Sequence, residues 1–121
     1  MESDFTFARS VRLTQALQYR QVFANPIRTV DRYFTLLATS NNTDGARLGL
    51  AVSKKSIRKA SGRNRIKRQI RESFRHTRIQ IPAIDIVVMA KFGAEKIPSL
   101  QIRNSLEQHW IKLTRLCEKS S

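Results

Sequence analysis

The sequence predicts an α+β fold, a single-domain α/β sandwich in which helices pack on a small mixed sheet in the order α-β-β-(β)-α-β-α. A chain of 121 residues is long enough for one hydrophobic core and short for two. Its apolar content of 40% and charged content of 26% are typical of a folded protein. Helix-like and strand-like apolar patterns alternate along it, as in layered mixed folds. We therefore expect one domain over residues 1–121, with residues 1–8 and 118–121 flexible.

The first predicted element is a short helix. Thr14 can cap a helix over residues 15–23, and Asn25-Pro26 ends it because proline disfavours helical geometry in the residue before it. Tyr19 and Phe23 are four residues apart and so lie on one helix face. Such a pair packs into a core more often than it contacts a ligand, and both interpretations stay open.

Two strands are predicted next. Residues 33–39 are rich in aromatic and aliphatic side chains, residues 41–45 carry dense turn chemistry, and residues 47–53 follow as the expected hairpin partner. Side chains in that second strand alternate between large and very small. The large ones are Leu48, Leu50 and Val52, and the small ones are Gly49, Ala51 and Ser53. The small face has room for a packed helix or for a ligand that approaches the backbone.

The second helix is predicted after Ser61-Gly62, over residues 63–75. Ile66, Ile70 and Phe74 recur every four residues and form an apolar stripe that should face the core. A helical projection places a polar, mostly cationic row on one flank of that stripe. The row comprises Asn64, Lys67, Arg68, Arg71 and Arg75.

A central strand and a long helix complete the predicted fold. Residues 86–90 form a short, continuous apolar run, which is typical of a strand buried on both faces. Pro98-Ser99 opens a last helix with one apolar face. That face comprises Ile102, Leu106, Trp110, Leu113 and Cys117. Cys117 is the single cysteine of the chain, so it cannot form an internal disulfide, and we expect a buried thiol.

The charge of the chain indicates its class of partner. The formal net charge is +14, and residues 54–78 hold eleven Lys or Arg against one acidic residue, so eleven minus one, or +10, lies in this segment. A basic surface kept for solubility would spread the charge, whereas this concentration indicates a surface that binds a polyanion. The N-terminus lacks a signal-peptide pattern and no run of eighteen apolar residues occurs, so we expect a cytoplasmic protein without a membrane partner.

Residues 63–68, of sequence RNRIKR, contain groups suited to RNA. Guanidinium forks match pairs of phosphate oxygens, and an amide both donates and accepts hydrogen bonds. If the motif opens the helix, free N–H groups and the positive end of the helix dipole add to phosphate attraction. Solvated helix faces, localisation signals and ribosomal RNA contacts use similar motifs, so a ribosomal or RNA-chaperone protein remains an alternative.

Catalysis by the protein itself finds little support. His76 and His109 are the two histidines, and neither lies in a motif with a nucleophile or paired carboxylates. We expect His76 to extend the basic helix and His109 to lie at the surface or its boundary. We predict no catalytic residue and no protein-bound metal, which leaves an autonomous protein nuclease as the less favoured alternative.

Three segments together resemble one family. These are LGLAVSKK at 48–55, RNRIKRQIRESF at 63–74 after a seven-residue spacer, and PAIDIVVMAK at 82–91. With Arg12-Leu13 and the Tyr19 to Phe23 spacing, they make the chain similar to the protein subunit of bacterial ribonuclease P. The resemblance implies an accessory protein bound to a catalytic RNA that uses Mg²⁺ to remove the 5′ leader of precursor tRNA. It also implies a left-handed βαβ crossover, no cofactor held by the protein alone and no small-molecule substrate.

The resemblance also assigns site residues, position by position. Those expected to bind RNA are Lys54, Lys55, Arg58, Arg63, Asn64, Arg65, Lys67, Arg68 and Arg71, and those expected at a cleft for the single-stranded leader are Tyr19, Phe23 and Ser53. Aromatic rings suit this second role because unpaired bases stack on them. Some members of the family carry a tyrosine where this chain has Leu37, so any base preference tied to that hydroxyl is not implied here.

Overall fold

The computed structural model describes residues 12–13, 15–41 and 43–120, with the side chains of residues 119 and 120 left aside. It contains three α-helices and four strands. The helices are α1 (Ala16–Ala24), α2 (Ala60–Thr77) and α3 (Ser99–Ser120), and the strands are β1 (Ile27–Val30), β2 (Phe34–Ser40), β3 (Arg47–Ala51) and β4 (Ile84–Ala90). The predicted α+β class and element order are confirmed. No helix in the described part of the chain is long and apolar enough to cross a membrane.

Residues 1–8 and the expected cap Thr14 lie outside the described residues. The residue before the first turn of α1 is Gln15, whose backbone N–H donates to the Gln18 side chain in a capping box. At the other end α3 continues to Ser120, so the flexibility of residues 118–121 stays a prediction.

The four strands form one mixed sheet in the order β1-β2-β4-β3. β4 lies in the middle, antiparallel to β2 and parallel to β3, which confirms the predicted central strand. The predicted hairpin of β2 with β3 is wrong, because both strands pair with β4 instead. A strand that is apolar on both faces is stabilised most when it lies between two neighbouring strands. The turn at residues 43–45 therefore leads the chain from β2 past the position of β4 to β3.

The segment β3–α2–β4 is a parallel βαβ unit, as the resemblance implied. Its left-handed sense stays a prediction. The first of the strands, β1, had no predicted position, since it has four residues and directly follows Pro26. It pairs along β2, with Thr29 opposite Leu36.

Each face of the sheet carries a hydrophobic cluster. On one face α2 and α3 bury the predicted stripe of Ile66, Ile70 and Phe74 together with Trp110, whose indole N–H donates to Ser73 Oγ at 2.8 Å. On the other face α1 buries Val22 in a smaller cluster. That cluster also contains Leu13, Leu37 and Val87. The sheet is therefore a central layer with α1 on one side and two longer helices on the other.

Two side chains on α3 differ from prediction. His109, expected near the surface, is only 3% exposed; its Nδ1 lies 2.7 Å from Thr29 Oγ1 and its Nε2 lies 3.2 Å from Asp31 Oδ2. Asp31 precedes β2 and also accepts hydrogen bonds from Ser105 and from backbone N–H groups. Cys117, expected to be buried, is half-buried at the margin of the larger cluster, and burial raises the pKa of its thiol.

Candidate nucleic-acid interface

The basic helix begins one turn before the RNRIKR motif. Lys59 is its N-cap and Ala60 its first residue, so the Arg63 N–H already donates to the Lys59 carbonyl at 3.1 Å. The prediction that the motif itself opens the helix is wrong by three residues. The free N–H groups of the first turn belong instead to residues 60–62, beside exposed Arg58 and Lys59.

A tight turn after β3 presents two lysines to solvent. Ser53 Oγ accepts the Ser56 N–H, and the Ser53 carbonyl accepts the Ile57 N–H at 3.0 Å. Ile57 is fully buried and anchors the turn in the core. Lys54 and Lys55 therefore stand exposed between fixed points, while the hydroxyl of Ser53 is already engaged with Ser56.

Two arginines of the motif bind the protein itself. Arg63 donates to the carbonyl oxygens of Ile57 and Arg58 at 3.0 and 2.8 Å. Arg65 donates to the carbonyl oxygens of Glu95 and Ile97 at 2.7 and 3.0 Å, and to Ser99 Oγ at 3.2 Å. Both guanidinium groups still contribute positive charge at the surface, but several of their N–H donors are already bonded to the protein.

The other polar residues of the motif face outward on two different sides of α2. Asn64 is exposed. Lys67 and Arg71 line a groove of about 210 Å³ at the outer edge of β3, together with Tyr19 of α1. Arg68 instead lines the groove between α2 and α3. The predicted placement of Arg68 on the same flank as Lys67 and Arg71 is therefore wrong. Because the apolar stripe is narrow, polar side chains on both sides of it line grooves of the surface.

Arg12 belongs to the same groove at the β3 edge, a role that no sequence pattern indicated. It forms a parallel bridge with Leu48, and the next residue, Leu13, donates its N–H to the Leu48 carbonyl at 2.9 Å. The remaining wall is formed by Leu50. The edge of β3 thus carries three cations, Arg12, Lys67 and Arg71, around one aromatic ring.

The two aromatic residues of α1 have different surroundings, since one is packed and the other is exposed. Tyr19 is half-buried, and its ring lies so close to Gly49 that a Cβ there would stand 2.8 Å from it. The small face of β3 is therefore occupied by a helix side chain, one of the two predicted possibilities. Phe23 is 46% exposed and free to contact a partner. Leu37 is buried in the cluster beneath α1 and presents nothing to this surface.

Acidic groups hardly offset the charge of α2. Glu72, its one acidic residue, accepts a hydrogen bond from Arg75 at 2.8 Å, and this bond is the main cause that lowers the carboxyl pKa. His76 lies 3.4 Å from the same carboxylate, on the exposed last turn. Within the described ranges, no three His, Cys, Asp or Glu side chains are grouped to hold a metal ion. The exposed faces of α2 can therefore attract phosphate strongly.

Comparison with known proteins identifies the family of this chain. A family model described as Ribonuclease P matches residues 7–114. The ribonuclease P protein component of Methylococcus capsulatus is 47% identical over 117 residues, which cover 97% of this chain and 91% of that protein. The same component of Thioalkalivibrio sulfidiphilus is 46% identical, with 97% of this chain and 98% of that protein covered.

Solved structures give the same result for the fold. The RNase P protein of Staphylococcus aureus superposes with a TM-score of 0.77 at 36% identity, over 85% of this chain and 94% of that one. The RNase P protein of Thermotoga maritima superposes with a TM-score of 0.73 at 30% identity, over 82% of this chain and 94% of that one. The chain therefore belongs to the family of bacterial ribonuclease P protein components.

Proposed function

We propose that this chain serves tRNA 5′ maturation by binding two RNAs at once, the catalytic RNA of ribonuclease P and the single-stranded 5′ leader of precursor tRNA. The observation that carries the proposal is the opposite orientation of cations on α2. Lys67 and Arg71 face the groove beside Tyr19, whereas Arg68 faces the groove with α3. One helix can thus bind substrate on one side and a second RNA on the other.

The leader is proposed to run along the β3 edge. Arg12, Lys67 and Arg71 would neutralise its phosphates, and Phe23 would offer a ring on which an unpaired base stacks. The exposed lysines of the turn, Lys54 and Lys55, extend the cationic path beyond the end of β3. Cation contacts and stacking are both tolerant of base identity, as a protein that handles many leaders requires.

The chemistry is proposed to belong to the RNA. Its Mg²⁺ ions would be held by RNA oxygens, because this face of the protein presents ammonium and guanidinium groups that repel a divalent cation. The protein would lower the repulsion between enzyme RNA and substrate, so that less Mg²⁺ is needed for the endonucleolytic hydrolysis. We place this complex in the cytoplasm, where its RNA partners are made.

Reconstitution tests the proposal. The protein is added to a bacterial ribonuclease P RNA at low Mg²⁺, and removal of the leader is measured; we expect stimulation. With about five leader phosphates neutralised, the log of affinity for precursor tRNA should fall against log salt with a slope near −3.5. Absence of stimulation would overturn the proposal. Co-sedimentation with ribosomal subunits would instead support a ribosomal or chaperone role, and cleavage by the protein alone would support a protein nuclease.

A matched pair of variants locates the leader surface. Lys67→Gln with Arg71→Gln removes two charges from the groove beside Tyr19, whereas Lys112→Gln with Arg115→Gln removes two charges from the exposed side of α3. We expect the first pair to weaken binding of precursor tRNA relative to mature tRNA, and the second pair to leave that ratio unchanged. An unchanged ratio for the first pair would place the leader elsewhere.

A further inference from the structure

A wide groove lies between α2 and α3, on the side of the sheet away from α1. It has a volume of about 1020 Å³. The two helices start at the same end of the groove, because Arg65 and Gln69 of α2 both donate to Ser99 Oγ, in the first turn of α3, at 3.2 and 2.8 Å. We call this end the mouth of the groove.

Charge is sorted by sign along the groove. The mouth contains Arg65 and Arg68 of α2 and Arg103 of α3. One turn further along each helix stand Glu72 and Glu107. Three arginines that line one mouth attract an anion there, whereas the carboxylates beyond the mouth would repel one.

The two arginines on the walls of the mouth are available to a ligand. Arg68 and Arg103 are exposed, and neither has a hydrogen-bond or ion-pair partner among the described residues. Arg65 lines the same mouth with its guanidinium held by carbonyl oxygens, so it supplies a fixed charge there. A phosphate at the mouth would reduce the mutual repulsion of these three cations.

The start of α3 adds to the attraction. The Ile102 N–H donates to the Pro98 carbonyl at 3.1 Å, and the N–H groups before it have no partner within the helix. These groups and the positive end of the helix dipole lie at the mouth beside Arg103. Side chains and backbone therefore favour an anion at the same place.

We propose that the mouth of the α2–α3 groove is a phosphate-binding site for the catalytic RNA, with Arg68 and Arg103 contacting its backbone. This inference rests on the proposed function. RNA is the favoured ligand because the mouth is continuous with exposed Asn64 and with the start of α2, where Arg58 and Lys59 stand. The RNA strand crosses the mouth and does not enter the groove, since Glu72 and Glu107 lie beyond it. The RNA surface thus extends from α2 onto α3.

A salt titration with one variant and one matched control tests the site. Arg103→Gln removes the charge at the mouth, and Arg115→Gln removes the same charge from an exposed position three turns further along α3. For Arg103→Gln we expect affinity for the catalytic RNA to fall roughly five- to tenfold, and the slope of log affinity against log salt to become less steep by about 0.7 to 0.9. Arg115→Gln should change neither quantity.

The outcomes separate this inference from the proposed function. If wild type stimulates leader removal but Arg103→Gln binds the RNA with unchanged affinity and slope, the phosphate site is overturned while the proposed function stands. If wild type fails to bind the RNA, both fall. Arg103→Lys keeps the charge without the planar fork, so it should retain the salt slope while affinity falls less than for Arg103→Gln. A lysine variant as weak as the glutamine variant would also contradict the site.

Discussion

The ring of Tyr19 lies directly on the backbone of Gly49, where an added Cβ would stand 2.8 Å from the ring carbons and the hydroxyl. Because real Cβ atoms do not come this close to other atoms, the contact depends on glycine. It fixes the distance of α1 from β3, and with it the width of the groove that Lys67 and Arg71 share. One small residue thus links core packing to the proposed leader surface.

Gly49→Ala should therefore destabilise the protein. The added methyl group must displace Tyr19 or shift α1, and overpacking of this kind costs roughly 1–3 kcal/mol. Urea unfolding measures this loss. Gly45→Ala is the matched control, because its Cβ would meet only the flexible end of Arg78 at 3.4 Å. Equal stability of both variants would show that Tyr19 moves without cost.

Arg65→Ala is expected mainly to lower the free energy of unfolding. It removes hydrogen bonds to the carbonyl oxygens of Glu95 and Ile97, and thereby loosens the connection before α3, at a cost of roughly 1–3 kcal/mol. Arg68→Ala removes an exposed side chain of the same helix and should leave thermal unfolding unchanged while RNA binding weakens. The comparison requires melting curves and RNA affinities for both variants. Unaltered melting of Arg65→Ala would return that residue to a pure RNA-binding role.

Phe23→Ala should weaken discrimination between precursor and mature tRNA. Loss of one stacked base costs roughly 1–3 kcal/mol, and the protein fold should be unaffected since Phe23 is half-exposed. Leu17→Ala is the control, because Leu17 is an exposed apolar residue on another side of α1. The measurement is the ratio of the two tRNA affinities for the reconstituted enzyme. The same ratio in both variants would remove Phe23 from the leader surface.

His109 should make stability depend on pH. Burial lowers its pKa below the usual 6.5, Lys112 and Lys91 act in the same direction, and Asp31 opposes them. The unfolded chain therefore binds a proton that the folded chain does not, just below pH 6.5, so stability is complete above that pH and falls as pH drops through this window.

Asp31 should add a second loss at lower pH. Burial alone would raise its pKa, but hydrogen bonds from Ser105, Phe34 and Tyr33 hold the pKa below 3.8, so its contribution to stability is lost only under more acidic conditions.

Urea unfolding at pH 7.5 and 5.5 isolates the contribution of His109, because Asp31 stays ionised at both values. Wild type should lose more stability between the two pH values than His109→Gln. An equal loss in both would contradict the assignment.

Periodicity predicted the long elements well. The stripe of Ile66, Ile70 and Phe74 is buried, and the apolar run over residues 86–90 lies in the central strand, because both patterns extend over several turns or fill a strand. Neighbouring strands were predicted less well. A turn-rich loop after β2 indicated a hairpin, yet strand pairing depends on which strand fills the middle of the sheet, and that is a competition across the whole chain.

The candidate site likewise has features that the sequence predicted and features that it did not. The sequence by itself determined that a cationic helix with one apolar stripe exists, since charge count and spacing are local properties, and its motifs indicated the family. Only the tertiary structure decided that Arg65 binds the protein, that Lys67 and Arg68 face different grooves, and that His109 is buried against Thr29. These outcomes depend on neighbours 30 to 80 residues away along the chain, which no local pattern contains.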